Sequence, residues 1–218
     1  MISRQNYSHI IWDWNGTLFD DVNWCIEVIN IMLSKRGLKP FKERKEYHNT
    51  FCFPIIQYYK NVGFDFSIEP FEDLAKEYIF LYHSNNSGNC KLHSDVEMTL
   101  KTINNMGITQ IILSASEIEN LLSQINEFNI TGYFDEMIGL SDIYAKSKID
   151  VGLEYLTRKK VSKAILIGDT THDYEVANAL GVDCLLIPNG HQSKDVLLSC
   201  NVPVLDDLTQ VYKYLSGY

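Results

Sequence analysis

The acidic residues Asp13, Asp169 and Asp173 stand out because of what precedes them. His9-Ile10-Ile11-Trp12 is a short apolar run that delivers Asp13-Trp14-Asn15-Gly16-Thr17. Gln110-Ile111-Ile112-Leu113 delivers Ser114-Ala115-Ser116. Ala164-Ile165-Leu166-Ile167 delivers Gly168-Asp169, with Asp173 shortly after. In an open parallel sheet ligands bind at the carboxyl ends of the strands, so these polar residues are placed to share one site. Carboxylates at neighbouring strand ends repel and raise one another's pKa unless a cation sits between them. A hard, oxygen-ligated ion such as magnesium resolves that conflict.

The elements that must hold these residues are legible around them. The apolar runs, with a fourth at Cys184-Leu185-Leu186-Ile187, are too short for helices and lack strict alternation. That is the pattern of strands buried on both faces of a parallel sheet. Val96, Leu100, Ile103 and Met106 keep helical spacing up to Gly107, and Ile118, Leu121, Leu122, Ile125 and Phe128 form a second stripe. A third helix is predicted from Asp173 to Leu180, ended by Gly181. Strand and helix in alternation predict an α/β fold with a doubly wound parallel sheet.

The interval from 20 to 92 differs. Val22, Ile26, Ile29 and Leu33 predict a helix stopped by Gly37, and Phe71, Leu74, Tyr78 and Leu81 predict another. A turn-rich stretch, Ser84-Asn85-Asn86-Ser87-Gly88-Asn89, follows, and no strand-like run interrupts the interval. The expected division is a core of residues 1–20 and 92–218 with an all-α insertion, residues 21–91, serving as a cap. Asp20-Asp21 and Gly88-Asn89-Cys90 would be its two connections.

Together these residues resemble the haloacid dehalogenase superfamily of phosphohydrolases, in its helical-cap, phosphoglycolate-phosphatase-like branch. The family's D-x-D-G-T motif is matched by Asp13-Trp14-Asn15-Gly16-Thr17, and its strand-closing Ser or Thr by Ser114. Its G-D-x-x-x-D motif is matched by Gly168-Asp169-Thr170-Thr171-His172-Asp173. For its lysine, Lys148 and Lys146 compete. Lys148 is preferred because it directly precedes Ile149-Asp150-Val151-Gly152-Leu153, where a helix is predicted to begin. The resemblance implies that Asp13 attacks phosphorus and forms an aspartyl-phosphate. It implies magnesium held by Asp13, the backbone carbonyl of Asn15 and Asp169, with Asp173 supporting the metal's waters. Ser114, Ala115 and Lys148 would bind the phosphoryl group. His172 and the indoles of Trp12 and Trp14 are read as packing groups.

One position departs from the pattern. Family phosphatases carry a second Asp two residues after the nucleophile, where it protonates the leaving oxygen and then activates water. Here it is Asn15, whose amide cannot exchange a proton at neutral pH. Losing such a group typically costs about 10²–10⁴-fold in rate. Three readings stay open: a phosphatase that is slow, favours a good leaving group such as an acyl or aryl phosphate, or recruits another acid–base residue; a catalytically impaired binder of phosphate or metal; and a phosphonate-cleaving hydrolase. The last would need a cap lysine, for which Lys35, Lys42, Lys45 and Lys60 are available.

The cap is where the resemblance places substrate selection. Tyr47, His48, Phe51 and Phe53 either line a pocket or pack the cap's own helices. The net charge of −9 argues against nucleic acid or an anionic membrane as partner, since phosphate backbones demand clustered Lys and Arg. The closest to a basic run, Lys42-Glu43-Arg44-Lys45, is read as a solvated helix face. The expected ligand is a small phosphorylated metabolite. Five scattered cysteines without a C-x-x-C pair fit reduced thiols, and no apolar run reaches membrane-spanning length, so a cytoplasmic location is expected.

Overall fold

The computed structural model describes residues 7–84, 90–141 and 147–217. The strands are β1 (His9–Trp12), β2 (Phe19–Asp20), β3 (Lys91–Leu92), β4 (Thr109–Glu117), β5 (Glu136–Leu140), β6 (Ala164–Gly168) and β7 (Asp183–Leu186). Five of them form a parallel sheet in the order β5-β4-β1-β6-β7, and β2 and β3 pair antiparallel in a small ribbon.

Side chains on successive strand residues go to opposite faces, and here both faces are buried. Ile10, Trp12, Ile112, Ile165, Ile167 and Leu185 enter one apolar cluster. Ile11, Ile111, Leu113, Leu166, Cys184 and Leu186 enter the other. This is why the strand sequences read as continuous apolar runs. The first cluster is covered by α5 (Val96–Asn105), α6 (Ile118–Glu127) and α10 (Thr209–Ser216). The second is covered by α7 (Lys148–Lys159), α8 (Thr171–Leu180) and α9 (Lys194–Leu198).

Among the described residues between β2 and β3 lie four helices: α1 (Val22–Lys35), α2 (Arg44–Thr50), α3 (Ile55–Asn61) and α4 (Phe71–Ser84). These helices bury their own cluster, with Val22, Ile29, Leu33, Tyr47, Tyr58, Tyr59 and Leu74 at its centre.

Three sequence expectations need correction. The strand carrying Ser114 does not stop there; it continues to Glu117 across a register irregularity. β5 has no apolar-run signature because Gly139 sits within it. A Cβ there would come within 2.7 Å of the Ser116 carbonyl oxygen, so only glycine lets β5 lie against the irregular end of β4. The helices α2 and α3 escaped prediction because each is short and rich in polar and aromatic residues. Of the two connections expected for the insertion, Gly88 and Asn89 lie outside the described residues.

Candidate active site

β1 and β6 are neighbours, yet the chain reaches β6 only after building β4 and β5 on the other side of β1. The sheet therefore reverses its order between β1 and β6, and Asp13 and Asp169 follow those two strands directly. Such a switch point opens a crevice at the carboxyl ends of the strands.

Asp13, Asp169 and Asp173 are all buried, and each offers a carboxylate oxygen within 4.8 Å of the others. Lys148, the first residue of α7, donates from Nζ to Asp13 Oδ1 at 2.5 Å and to Asp173 Oδ1 at 2.7 Å. Its helix is started by Ser147, whose hydroxyl accepts from the Asp150 amide. Asp173 has a second task at the start of α8. Its Oδ2 accepts from the Thr170 amide and hydroxyl, completing a capping box. Thr17 donates to Asp169 Oδ1 at 3.0 Å, and the His191 amide donates to Asp169 Oδ2 at 2.7 Å. Lys146 lies outside the described residues.

The electrostatics follow from this crowding. Burial and the nearby Asp173 charge push Asp13 up to about 6 against the pull of Lys148. Burial likewise lifts Asp169 to about 7, with Asp173 and Asp13 adding to it against the pull of the nearby His191. Burial would raise Asp173 too, but the Lys148 ammonium outweighs it and holds this carboxyl below the ordinary carboxylate range. One lysine thus faces three buried acids. The surplus negative charge, the all-oxygen donor set and the tight backbone around Asp169 suit a hard divalent cation. A Cβ on Gly16 or Gly190 would come within 2.4 or 2.0 Å of Asp169 Oδ2, so both backbones press against this carboxylate. Gly16 has φ +79°, a conformation glycine adopts without strain.

Ser114 is buried on β4 beyond Ile112, the register partner of Trp12, and so reaches the same sheet edge as Asp13. Its hydroxyl accepts from the Ser116 amide at 3.0 Å. Ala115 is exposed and lines the adjoining cavity.

Asn15 has both ends of its amide engaged. Oδ1 accepts from Ser116 Oγ at 2.8 Å, and Nδ2 donates to Asp21 Oδ2 at 2.9 Å. The amide is also locked against deamidation. That reaction needs the Gly16 nitrogen to attack the Asn15 side chain, and the Gly16 N–H is committed to the Phe19 carbonyl at 2.8 Å.

The matching family model is that of the haloacid dehalogenase-like hydrolases, and it aligns with residues 10–187. The chain belongs to this family. Among solved structures, a haloacid dehalogenase-like hydrolase from Streptococcus pneumoniae superposes with TM-score 0.81 at 19% identity, covering 95% of this chain and 98% of that one. A predicted phosphoglycolate phosphatase from Haemophilus somnus gives TM-score 0.75 at 17% identity, covering 95% and 97%. Protein Tyrosine Kinase A from Mycobacterium tuberculosis gives TM-score 0.81 at 18% identity, covering 97% and 99%. At such identities the likeness establishes the fold alone. No curated protein matches the chain.

Within this haloacid dehalogenase-like frame, the structure adds residues that the motif pattern did not single out. His191 follows β7 and is buried, with Nε2 3.5 Å from Asp21 Oδ1 and Nδ1 2.8 Å from the Tyr47 hydroxyl. Burial would lower its pKa, but Asp21, with Asp169 and Asp13 beyond, raises it to about 9. Asp21, read from sequence as a hinge residue, is buried and also accepts from the Tyr82 hydroxyl at 2.7 Å. His191 lies on the loop Pro188-Asn189-Gly190-His191 that leaves the carboxyl end of β7, so proximity to a strand end was a usable signal for it, though a weaker one than for Asp13 and Asp169, which follow their strands directly. Asp21 carried no such signal.

The cap residues divide. Tyr47, Phe51 and Phe53 line a cavity of about 430 Å³ between the helical insertion and the sheet edge. His48 does not. It lies beside Arg44, whose Nε donates to it at 3.1 Å, because α2 turns that face toward the 189–190 backbone. The solvated-face reading of Lys42-Glu43-Arg44-Lys45 holds for Lys42 and Lys45, which are exposed. It fails for Arg44, which reaches the Asn189 carbonyl oxygen at 2.7 Å. His172 packs as expected, its ring stacked on Phe53 with centroids 4.6 Å apart. Trp12 and Trp14 are buried and hydrogen-bonded to Gln110 and Gln124. None of Lys35, Lys42, Lys45 and Lys60 lines the cavity, which leaves the phosphonate-cleaving reading without its lysine there. Among the described residues no helix is long and apolar enough to cross a membrane.

Proposed function

We propose that the chain is a magnesium-dependent phosphohydrolase that uses Asp13 as its nucleophile on a small phosphorylated metabolite. The observation that carries this reading is Lys148 bridging Asp13 and Asp173 beside Asp169 at the sheet's switch point. Asp13, the backbone carbonyl of Asn15 and Asp169 would hold magnesium, with Asp173 behind them. Bound there, the ion supplies charge neutralisation for the transferring phosphoryl group.

The chain's own residues account for the rest. Lys148 keeps Asp13 oriented and offsets part of the negative charge that nucleophile and phosphoryl group bring together. Asp173 fixes Lys148 while capping α8, so the lysine is pre-positioned before substrate arrives. Ser114 and the exposed backbone at Ala115 would receive phosphoryl oxygens. Helices α1 to α4 cover the crevice as a cap and limit water around the aspartyl-phosphate. Asn15 holds its amide between Ser116 and Asp21 and supplies no proton, so esters whose leaving oxygen departs unaided are favoured. Five free thiols fit a cytoplasmic setting.

A second reading, a phosphate- or metal-binding protein without turnover, is favoured by Asn15 alone. A magnesium-supplemented panel of phosphate esters, run with an Asp13→Asn control, tests both. Turnover that the control abolishes supports the hydrolase. Turnover unaffected by the control removes Asp13 as nucleophile. Tight phosphate binding without turnover selects the binder.

A further inference from the structure

The cavity beside the acidic cluster has a chemistry of its own. One end is formed by Asn15, Ala115, Ser116 and His191, whose amide donates to Asp169, while Asp13 and Asp169 themselves do not line it. The remainder is walled largely by aromatic rings: Phe51, Phe53, Tyr58, Tyr59, Tyr78 and Tyr82. At about 430 Å³ it lies within the roughly 300–1,000 Å³ typical of small-molecule sites. By liquid volume it equals about fourteen waters at roughly 30 Å³ each, far more than a two-carbon acid needs.

Among its described lining residues there is no lysine or arginine. The acids present are Asp21 and Glu117, and Asp21 is buried. The buried imidazole, His191, already faces the Asp21 carboxylate. Arg44, the nearby cation, is committed to the Asn189 carbonyl. A second anionic group on the substrate would enter a largely apolar space whose buried imidazolium, His191, is already paired with Asp21, at a large desolvation cost.

We infer that the leaving group is an uncharged aromatic alcohol, and that the preferred substrate is an aryl phosphate monoester rather than phosphoglycolate or another phosphorylated acid. The inference rests on the phosphohydrolase reading and explains how the first step proceeds without an acid at Asn15. An Asp13 oxygen bonds to phosphorus as the bond from phosphorus to the aryl oxygen breaks, and the electron pair leaves on a phenolate. A phenol titrates near 10, as tyrosine does, so its anion departs without a proton from residue 15. Water then opens the aspartyl-phosphate, restoring Asp13. One water proton leaves with hydrogen phosphate, and the other reaches the phenolate through solvent.

The test compares phenyl phosphate, benzyl phosphate and phosphoglycolate as substrates of the full chain with magnesium. Calorimetric binding of phenylphosphonate and phosphonoacetate runs beside it. Phenyl phosphate is expected to exceed phosphoglycolate in kcat/KM by about 10²-fold, the scale of discrimination against a buried unpaired charge. Benzyl phosphate keeps the ring but leaves as an alkoxide, so its KM stays similar while its kcat falls. Phe53→Ala raises KM for phenyl phosphate roughly tenfold with little change in kcat, through loss of ring contact. Phosphoglycolate turned over as well as phenyl phosphate overturns the inference and leaves the phosphohydrolase standing. Absence of all turnover removes the phosphohydrolase instead. Calorimetry then decides the cavity: preference for phenylphosphonate keeps the aromatic assignment, and preference for phosphonoacetate ends it.

Discussion

Asn15 Nδ2 donates to Asp21 Oδ2 at 2.9 Å, and this contact explains why an amide occupies the position. A carboxylate at residue 15 would stand against the buried Asp21 carboxylate. The amide turned the other way would set its own oxygen against Asp21. The substitution and the buried Asp21 are thus two halves of one arrangement.

Asn15→Asp therefore creates a like-charged buried pair that holds on to one proton. The melting temperature is expected to drop at pH 8 and partly recover at pH 5.5, where the pair keeps its proton. The proton-holding carboxyl also restores an acid, so turnover of alkyl phosphates rises, by up to about 10²-fold. Thermal melts at both pH values and steady-state assays check the two halves.

Asp13→Asn removes the nucleophile, and kcat for any phosphate ester is expected to fall by about 10⁴-fold or more. The fold tolerates the change, because Lys148 keeps Asp173 as a partner. Circular dichroism and phosphate-release assays on the same preparation separate lost chemistry from lost structure.

Lys148→Ala leaves Asp13 and Asp173 buried together without a cation. Breaking a buried pair in this way costs about 3–5 kcal/mol. Urea unfolding without metal is expected to register that loss. Magnesium should restore part of it, because the ion supplies the missing positive charge.

Metal binding should be proton-linked. Asp13 titrates at about 6 and Asp169 at about 7 without metal, both above the unfolded carboxylate value. A bound cation needs both ionised, so binding releases protons below about pH 7 and few at pH 8. Magnesium should raise the melting temperature more at pH 8 than at pH 5.5. Calorimetry in buffers of different ionisation enthalpy counts the protons directly.

His191 gives the opposite pH dependence. Its folded pKa, about 9, lies above the unfolded value because Asp21 faces it. The stability it contributes is fully present below about pH 6.5 and is lost as pH rises through 9. His191→Gln should flatten the fall in urea midpoint between pH 6.5 and 9.5.

The sequence by itself determined four of the sheet's five strands and its chemical edge. Ile10, Ile11 and Trp12 must be buried on both faces, and that alone predicts a parallel strand ending in Asp13. Asp169 and Asp173 follow from the same logic at β6 and α8. What the sequence could not carry was any relationship that depends on side chains distant in the chain meeting one another. Lys148 was a sequence preference, and only the placement of α7 brought its Nζ to both Asp13 and Asp173. Asp21 looked like a linker residue, and only folding set it against Asn15, Tyr82 and His191. Tyr47, Phe51 and Phe53 read equally as packing or pocket, and the structure makes Tyr47 and Phe51 both. The physical reason is that burial periodicity is a local property of the chain, recoverable residue by residue. The charge balance of a site is a sum over groups brought together from separate elements, and it exists only once the chain has closed upon itself.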